Sequence, residues 1–125
     1  MKLIAVDIGS TYAKCAVLQS HNGIMLEKQV RPMPEKLPLT EKERFELSPE
    51  EIFLLVKAMI DDCLERHRDI QVIYLDTQMH GYILSEMDGT GAESYISWQD
   101  TLAESLLPEL AERLGQTALR RMGTR

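Results

Sequence analysis

The chain has 125 residues, enough for one domain with a real core and too few for several. It is 44% hydrophobic and 27% charged, with a formal net charge of -6. That balance argues against nucleic acid or an anionic membrane as a partner. No basic cluster with interleaved aromatics occurs. The dense basic stretch from Arg120-Arg121 to Arg125 reads as a solvated tail or a severed helix end. No signal peptide and no membrane-length apolar run is present, so a cytoplasmic location is expected.

Residues 2–8 and 12–19 are apolar runs separated by a tight turn, and they predict two strands. The first ends in Asp7-Ile8-Gly9-Ser10-Thr11. Gly9 permits close backbone approach to a ligand. Backbone N–H groups with the Ser10 and Thr11 hydroxyls suit a phosphate. Asp7, at a strand end, offers a hard oxygen to Mg²⁺ or its waters. Lys14 can present a point charge to the same anion. The bland alternative is an ordinary hairpin with Gly-Ser-Thr as its turn.

His21-Asn22-Gly23 is a turn signal, and Ile24 to Val30 predicts a third strand completing an antiparallel meander. Residues 31–47 read as a surface loop with a short extended piece at Arg44-Phe45-Glu46. Ser48 then predicts an N-cap, Pro49 the first helical position, and Glu51 a capping box. Ile52, Leu55, Val56, Met59, Ile60 and Cys63 form one apolar helical face. His67, in the polar helix end, reads as a solvated or dipole-facing residue rather than a ligand. Cys15 and Cys63 each lie among apolar residues and read as buried free thiols, not as a disulfide or metal pair.

Ile70 to Leu75 predicts a fourth, buried strand, and Tyr82-Ile83-Leu84 and Tyr95 to Trp98 short ones. Asp88 to Gly91 is a turn. A helix is expected from near Asp100, with Leu102, Leu106, Leu110 and Leu114 on one face. Pro108 should kink or restart it, and Gly115 should stop it. The order is an antiparallel three-strand meander followed by a helix–strand crossover in an α/β fold.

Two further segments carry chemistry. Asp76-Thr77-Gln78-Met79-His80-Gly81 follows the fourth strand, at the carboxyl end where open α/β sheets bind ligands. Gln78 offers a donor and an acceptor and His80 a ring nitrogen, both suited to hydroxyls. In Trp98-Gln99-Asp100, the indole face can stack on a sugar and Asp100 can accept a hydroxyl. The alternatives are a core Trp98 and an Asp100 that caps the next helix, the cap being the stronger reading of Asp100.

The Asp-x-Gly-Ser-Thr loop resembles the first phosphate loop of the sugar kinase, heat-shock-protein-70 and actin superfamily. With Glu46 to Glu51, Gln78-Met79-His80-Gly81 and Trp98-Gln99-Asp100, the chain resembles the FGGY carbohydrate kinases, above all xylulokinase-like and sedoheptulokinase-like members. The resemblance implies a ribonuclease-H-like, actin-like ATPase domain and transfer of the ATP γ-phosphoryl group to a ketose or polyol. It implies Gly9, Ser10, Thr11 and Lys14 at the ATP phosphates, Asp7 at Mg²⁺, and Gln78, Met79, His80, Trp98 and Asp100 at the sugar. The family usually carries Arg where this chain has Leu102.

FGGY kinases are several times longer. Residues 1–125 are therefore expected to be the amino-terminal portion of the first actin-like domain, with Met122-Gly123-Thr124 in its middle. The rest of that domain, the second domain and the catalytic base would lie beyond Arg125. Such a fragment is expected to be inactive alone, to bind no nucleic acid or membrane, and to self-associate through an uncovered apolar face. Two other classes remain open: an actin-like ATPase or enzyme reactivase, and a non-catalytic interaction module.

Overall fold

The computed structural model describes residues 1–91 and 93–115. The basic stretch from Arg120 and the segment Met122-Gly123-Thr124 lie outside them. Strands β1 (Lys2–Ile8), β2 (Tyr12–Gln19) and β3 (Met25–Pro32) form the expected antiparallel meander. The third strand starts one residue later than expected and runs two residues further. Asn22-Gly23 closes the hairpin before it, with Gly23 at φ +69° and Gln19 N donating to Ile24 O at 2.9 Å.

Helix α1 (Pro49–Arg66) begins where its start chemistry places it. Ser48 Oγ accepts from Glu51 N at 3.2 Å, and Pro49 takes a first-turn position. The chain then returns in β5 (Ile70–Thr77), parallel to β1, giving the sheet order β3-β2-β1-β5. A second, small sheet has the order β4-β7-β6, from β4 (Glu46–Leu47), β6 (Tyr82–Ile83) and β7 (Tyr95–Ile96).

The core is one helix packed on one face of the large sheet. Ile4, Val6, Ala13, Cys15 and Val17 meet Val56, Met59 and Cys63. Alternation along the strands turns Leu3, Ala5, Asp7, Lys14 and Ala16 to the other face. The anticipated helix face is confirmed: Leu55 and Ile60 pack at the margins of the core.

One expectation needs correction. The fourth strand is not buried: Ile73, Tyr74 and Leu75 are 43%, 61% and 62% exposed. It is a sheet edge, and among the described residues nothing pairs with its outer side or covers its apolar run. The last helical stretch begins near Asp100 and restarts at Pro108, as expected. A 3-10 segment (Leu102–Leu106) leads into α2 (Leu107–Leu114), which restarts with Pro108 in its first turn and stops at Gly115, φ +73°. Its Leu102, Leu106, Leu110 and Leu114 row is exposed among the described residues.

Strand β3 presents polar residues to α1, and they lock the end of the helix. Glu27 accepts from Arg66 Nε at 3.1 Å and Gln29 Nε2 at 3.1 Å, and lies 3.0 Å from His67 Nε2. His67, the helix C-cap, is thus tied to β3 rather than solvated. Arg66 above all, then Gln29 and His67, hold the Glu27 carboxyl down at about 2, although its partial burial pulls the other way. A depressed carboxyl stabilises the fold fully above its unfolded value near 4.5 and loses that contribution as pH falls toward 2. The urea midpoint is therefore expected to drop between pH 5 and 2.5, in part through Glu27. Glu27→Gln should flatten that stretch of the profile; an unchanged slope would remove Glu27 as a contributor.

Candidate functional site

The β1–β2 turn is built around Gly9. Its N–H donates to Tyr12 O at 3.2 Å, and a Cβ at this position would meet that oxygen at 2.9 Å. Only glycine lets the turn close so tightly. Met33 N donates to Thr11 O at 3.0 Å and braces the far side. Among the described residues, the Ser10 and Thr11 hydroxyls make no protein hydrogen bond, so both remain available.

Asp7 and Lys14 are register partners across β1 and β2, and Lys14 Nζ donates to Asp7 Oδ2 at 2.8 Å. Their side chains are 46% and 49% exposed, so the pair is open to a ligand and contributes under about 1 kcal/mol. Both line a cavity of about 380 Å³ on the sheet face away from α1. Lys28 and Asp76 line it too. Lys28 did not stand out in the sequence, and Asp76 did so only as the first residue of the segment after the fourth strand. Lys28 is register partner of Ala16, and Asp76 of Asp7 in the parallel pair β1–β5. Strand alternation carried the signal for Lys28; for Asp76 the signal exists only once the parallel register is known.

The second segment meets the first directly. Gln78 N donates to Ile8 O at 3.1 Å, so the residue after β5 is clamped to the last residue of β1, one step before Gly9. Gln78 turns its side chain inward. Its Oε1 is buried without a partner, as is the Tyr95 hydroxyl. Both residues line a cavity of about 260 Å³ with Ile8, Thr77 and Gly81. The Tyr95 ring lies across Gly81, where a Cβ would collide with the phenol oxygen. Burial pushes the Tyr95 hydroxyl above its ordinary value, which keeps it a neutral donor. Sequence reasoning missed Tyr95, because nothing in a two-residue strand marks a hydroxyl that packs on a glycine 14 positions earlier.

Met79 and His80 point away from this cavity. Met79 is 74% exposed, and His80 is exposed with φ +68°, a left-handed conformation that costs a non-glycine residue. The left-handed step at His80 lies in a bend between Gln78 and Gly81. Trp98 is 54% exposed and is not a core anchor. Asp100 spends both oxygens on backbone: Oδ2 accepts from Phe45 N at 2.8 Å and Oδ1 from Leu102 N at 3.0 Å. The Oδ1 contact is an Asx turn one residue before the 3-10 N-cap, Thr101, which has no side-chain cap bond of its own, and the Oδ2 contact ties the segment to Phe45. Asp100 lines a separate cavity of about 160 Å³ with Arg44, Tyr82 and Leu102. The structure therefore brings Asp7, Gly9, Lys14 and Gln78 to one end of the large sheet. Met79, His80 and Trp98 are exposed, and Asp100 lines a different cavity from Gln78.

A profile of the FGGY family of carbohydrate kinases, N-terminal domain, matches residues 2–124. The chain belongs to this family. A gluconate kinase and a ligand-bound xylulose kinase, both from Lactobacillus acidophilus, superpose with a TM-score of 0.79 at 26% identity. In each case 90% of this chain is covered and 23% of the kinase. A Plasmodium falciparum glycerol kinase with ADP matches at 16% identity and a TM-score of 0.72, again over 90% of this chain and 23% of the kinase, which supports the fold alone. No match to a curated protein was found. The FGGY chain thus spans about a quarter of the length of the solved kinases it matches. Its meander, helix and parallel β5 are the start of an actin-like ATPase domain. Among the described residues no helix is long and apolar enough to cross a membrane.

Proposed function

We propose that this FGGY chain supplies the phosphate cradle and part of the sugar wall of an ATP-dependent carbohydrate kinase acting on a ketose or polyol. One observation carries the reading: the Gln78 N to Ile8 O bond places the Gln78 segment against the Asp7-to-Thr11 turn. A donor–acceptor side chain for hydroxyls and a glycine turn with free hydroxyls then share one sheet end. Phosphoryl transfer needs that adjacency, because it depends on positioning and charge stabilisation.

The residues fit the nucleotide. Gly9 offers close backbone approach, Ser10 and Thr11 offer hydroxyls, and Lys14 a cation. Asp7 is half exposed, a single open carboxylate. That suits Mg²⁺, which keeps waters and phosphate oxygens and needs only one or two carboxylates. Bound ATP·Mg²⁺ would supply the γ-phosphoryl group and neutralise its charge. Gln78 and the Tyr95 hydroxyl would orient a substrate hydroxyl from inside their cavity. Met79, His80, Trp98 and Asp100 would border the sugar from the surface. The catalytic base and the second domain would come from sequence outside this chain. The exposed Ile73-Tyr74-Leu75 edge would be covered there, and would promote self-association when it is not.

Amide chemical-shift titration tests the reading. Mg²⁺·ADP should move Gly9, Ser10 and Thr11, and a ketose such as xylulose should move Gln78, Met79 and His80. The chain alone should show no kinase turnover. Titrations in which neither segment responds to near-saturating ligand would sink the proposal. Turnover abolished by Asp7→Asn would instead overturn its partial character, since the base would then lie within these residues.

A further inference from the structure

The core holds a pair of thiols that phosphoryl transfer does not use. Cys15 lies on β2 and Cys63 on the last full turn of α1, 48 residues apart in sequence. Packing of α1 on the sheet sets their sulfurs 3.5 Å apart, with the residues 1% and 0% exposed. A disulfide needs a separation of about 2.05 Å, so closure requires a relative shift of about 1.5 Å. That is within reach of rotamer adjustment and a slight approach of helix to strand. The Cys63 sulfur also accepts from Gln29 Nε2 at 3.3 Å and lies 4.0 Å from Glu27 Oε1.

We propose that Cys15 and Cys63 form an oxidation site, which hydrogen peroxide converts into an intrachain disulfide joining β2 to α1. The peroxide is a two-electron oxidant small enough to enter an opened core. Cys63 acts first, because it sits one turn from the helix end. Its thiolate attacks one peroxide oxygen and the O–O bond breaks. A sulfenic acid forms, and the leaving hydroxide takes the thiol proton as water. Cys15 then attacks the Cys63 sulfur. The S–S bond forms, the S–O bond breaks, and a second water leaves with the Cys15 proton. Two thiols and one peroxide become one disulfide and two waters. Burial, and then the Cys63 sulfur beside it, push the Cys15 thiol up to about 12, so it is the slower partner and resolves rather than initiates.

The consequence is mechanical. The new bond closes the loop from β2 through β3 and the whole of α1's approach, which constrains the unfolded chain. It also fixes the helix to the strand that carries Lys14, one residue from Cys15. Oxidation should therefore raise the melting temperature and stiffen the sheet behind the phosphate turn.

The test uses the chain as it is. Hydrogen peroxide should lower the intact mass by about 2 Da, remove both titratable thiols, and yield a Cys15–Cys63 linked peptide on non-reducing digestion. Dithiothreitol should restore the mass and both thiols. The melting temperature should rise by about 3 °C or more on oxidation and return on reduction. In Cys15→Ala, peroxide should add oxygen to Cys63, with no loss of 2 Da. Three outcomes overturn the proposal: two thiols that stay titratable under peroxide, oxygen addition in the wild type without the 2 Da loss, or a disulfide that only links two chains. These readouts on the wild type decide the matter even where the alanine variant folds poorly.

Discussion

Met59→Ala is expected to cost about 2–5 kcal/mol of folding stability. Met59 is fully buried, at the centre of the one apolar helix face that covers the sheet. Truncation removes contacts with strands on the other side and leaves a cavity that a rigid sheet cannot fill by collapse. Domains of this size have about 5–15 kcal/mol in total. This one has a single helix over the sheet and an exposed β5 edge, which puts it toward the low end. The variant should therefore be largely unfolded near physiological temperature. The control is Phe53→Ala, on the same helix but 64% exposed, which should change stability by well under 1 kcal/mol. Urea unfolding of the two variants checks the contrast. A Met59→Ala loss below about 1 kcal/mol would mean that docking of α1 does not hold the sheet.

The contrast between Met59 and Phe53 shows what the sequence could convey. Helical spacing named Met59, Val56 and Cys63 as one face, because a period of 3.6 is a local property of the chain. The same logic found the strand ends at Ile8 and Gln19 and the Ser48 cap. Apolar content also marked Ile70 to Leu75 as wanting cover, yet composition does not say what provides it. The strand is exposed because β1 pairs with one side of it and no described element pairs with the other. Non-local pairings were illegible for the same reason. Two-residue strands have no period, so the β4-β7-β6 sheet and the Tyr95–Gly81 contact could not be read. The Asp7–Asp76 register and the Cys15–Cys63 contact join residues far apart in the chain. The tight turn at Gly9 was legible because the apolar run of β1 ends at Ile8, next to it. Asp100 read as a cap, but the 3-10 segment takes Thr101 as its N-cap and Asp100 forms an Asx turn just before it.

In a complete kinase that carries this segment, Asp7→Asn is expected to lower kcat by about 100-fold or more while the sugar KM stays within about threefold. The substitution keeps the shape of the side chain and removes its charge. Two things depend on that charge. One is the 2.8 Å pair with Lys14, which is half exposed and whose loss should cost under about 1 kcal/mol of stability. The other is the proposed Mg²⁺ contact, whose benefit is greatest when charge develops on the phosphoryl group in transit. A residue acting only through the ion pair would lower the melting temperature slightly and leave kcat near its starting value. Lys14→Met separates the two, since it breaks the same pair without touching the carboxylate. If both variants lose kcat equally and Mg²⁺ dependence is unchanged, the pair matters and the metal assignment falls. If Asp7→Asn raises the sugar KM at constant kcat, Asp7 belongs to the sugar side. The expected pattern is a kcat loss in Asp7→Asn that is far larger than in Lys14→Met, with a raised Mg²⁺ requirement in the first alone.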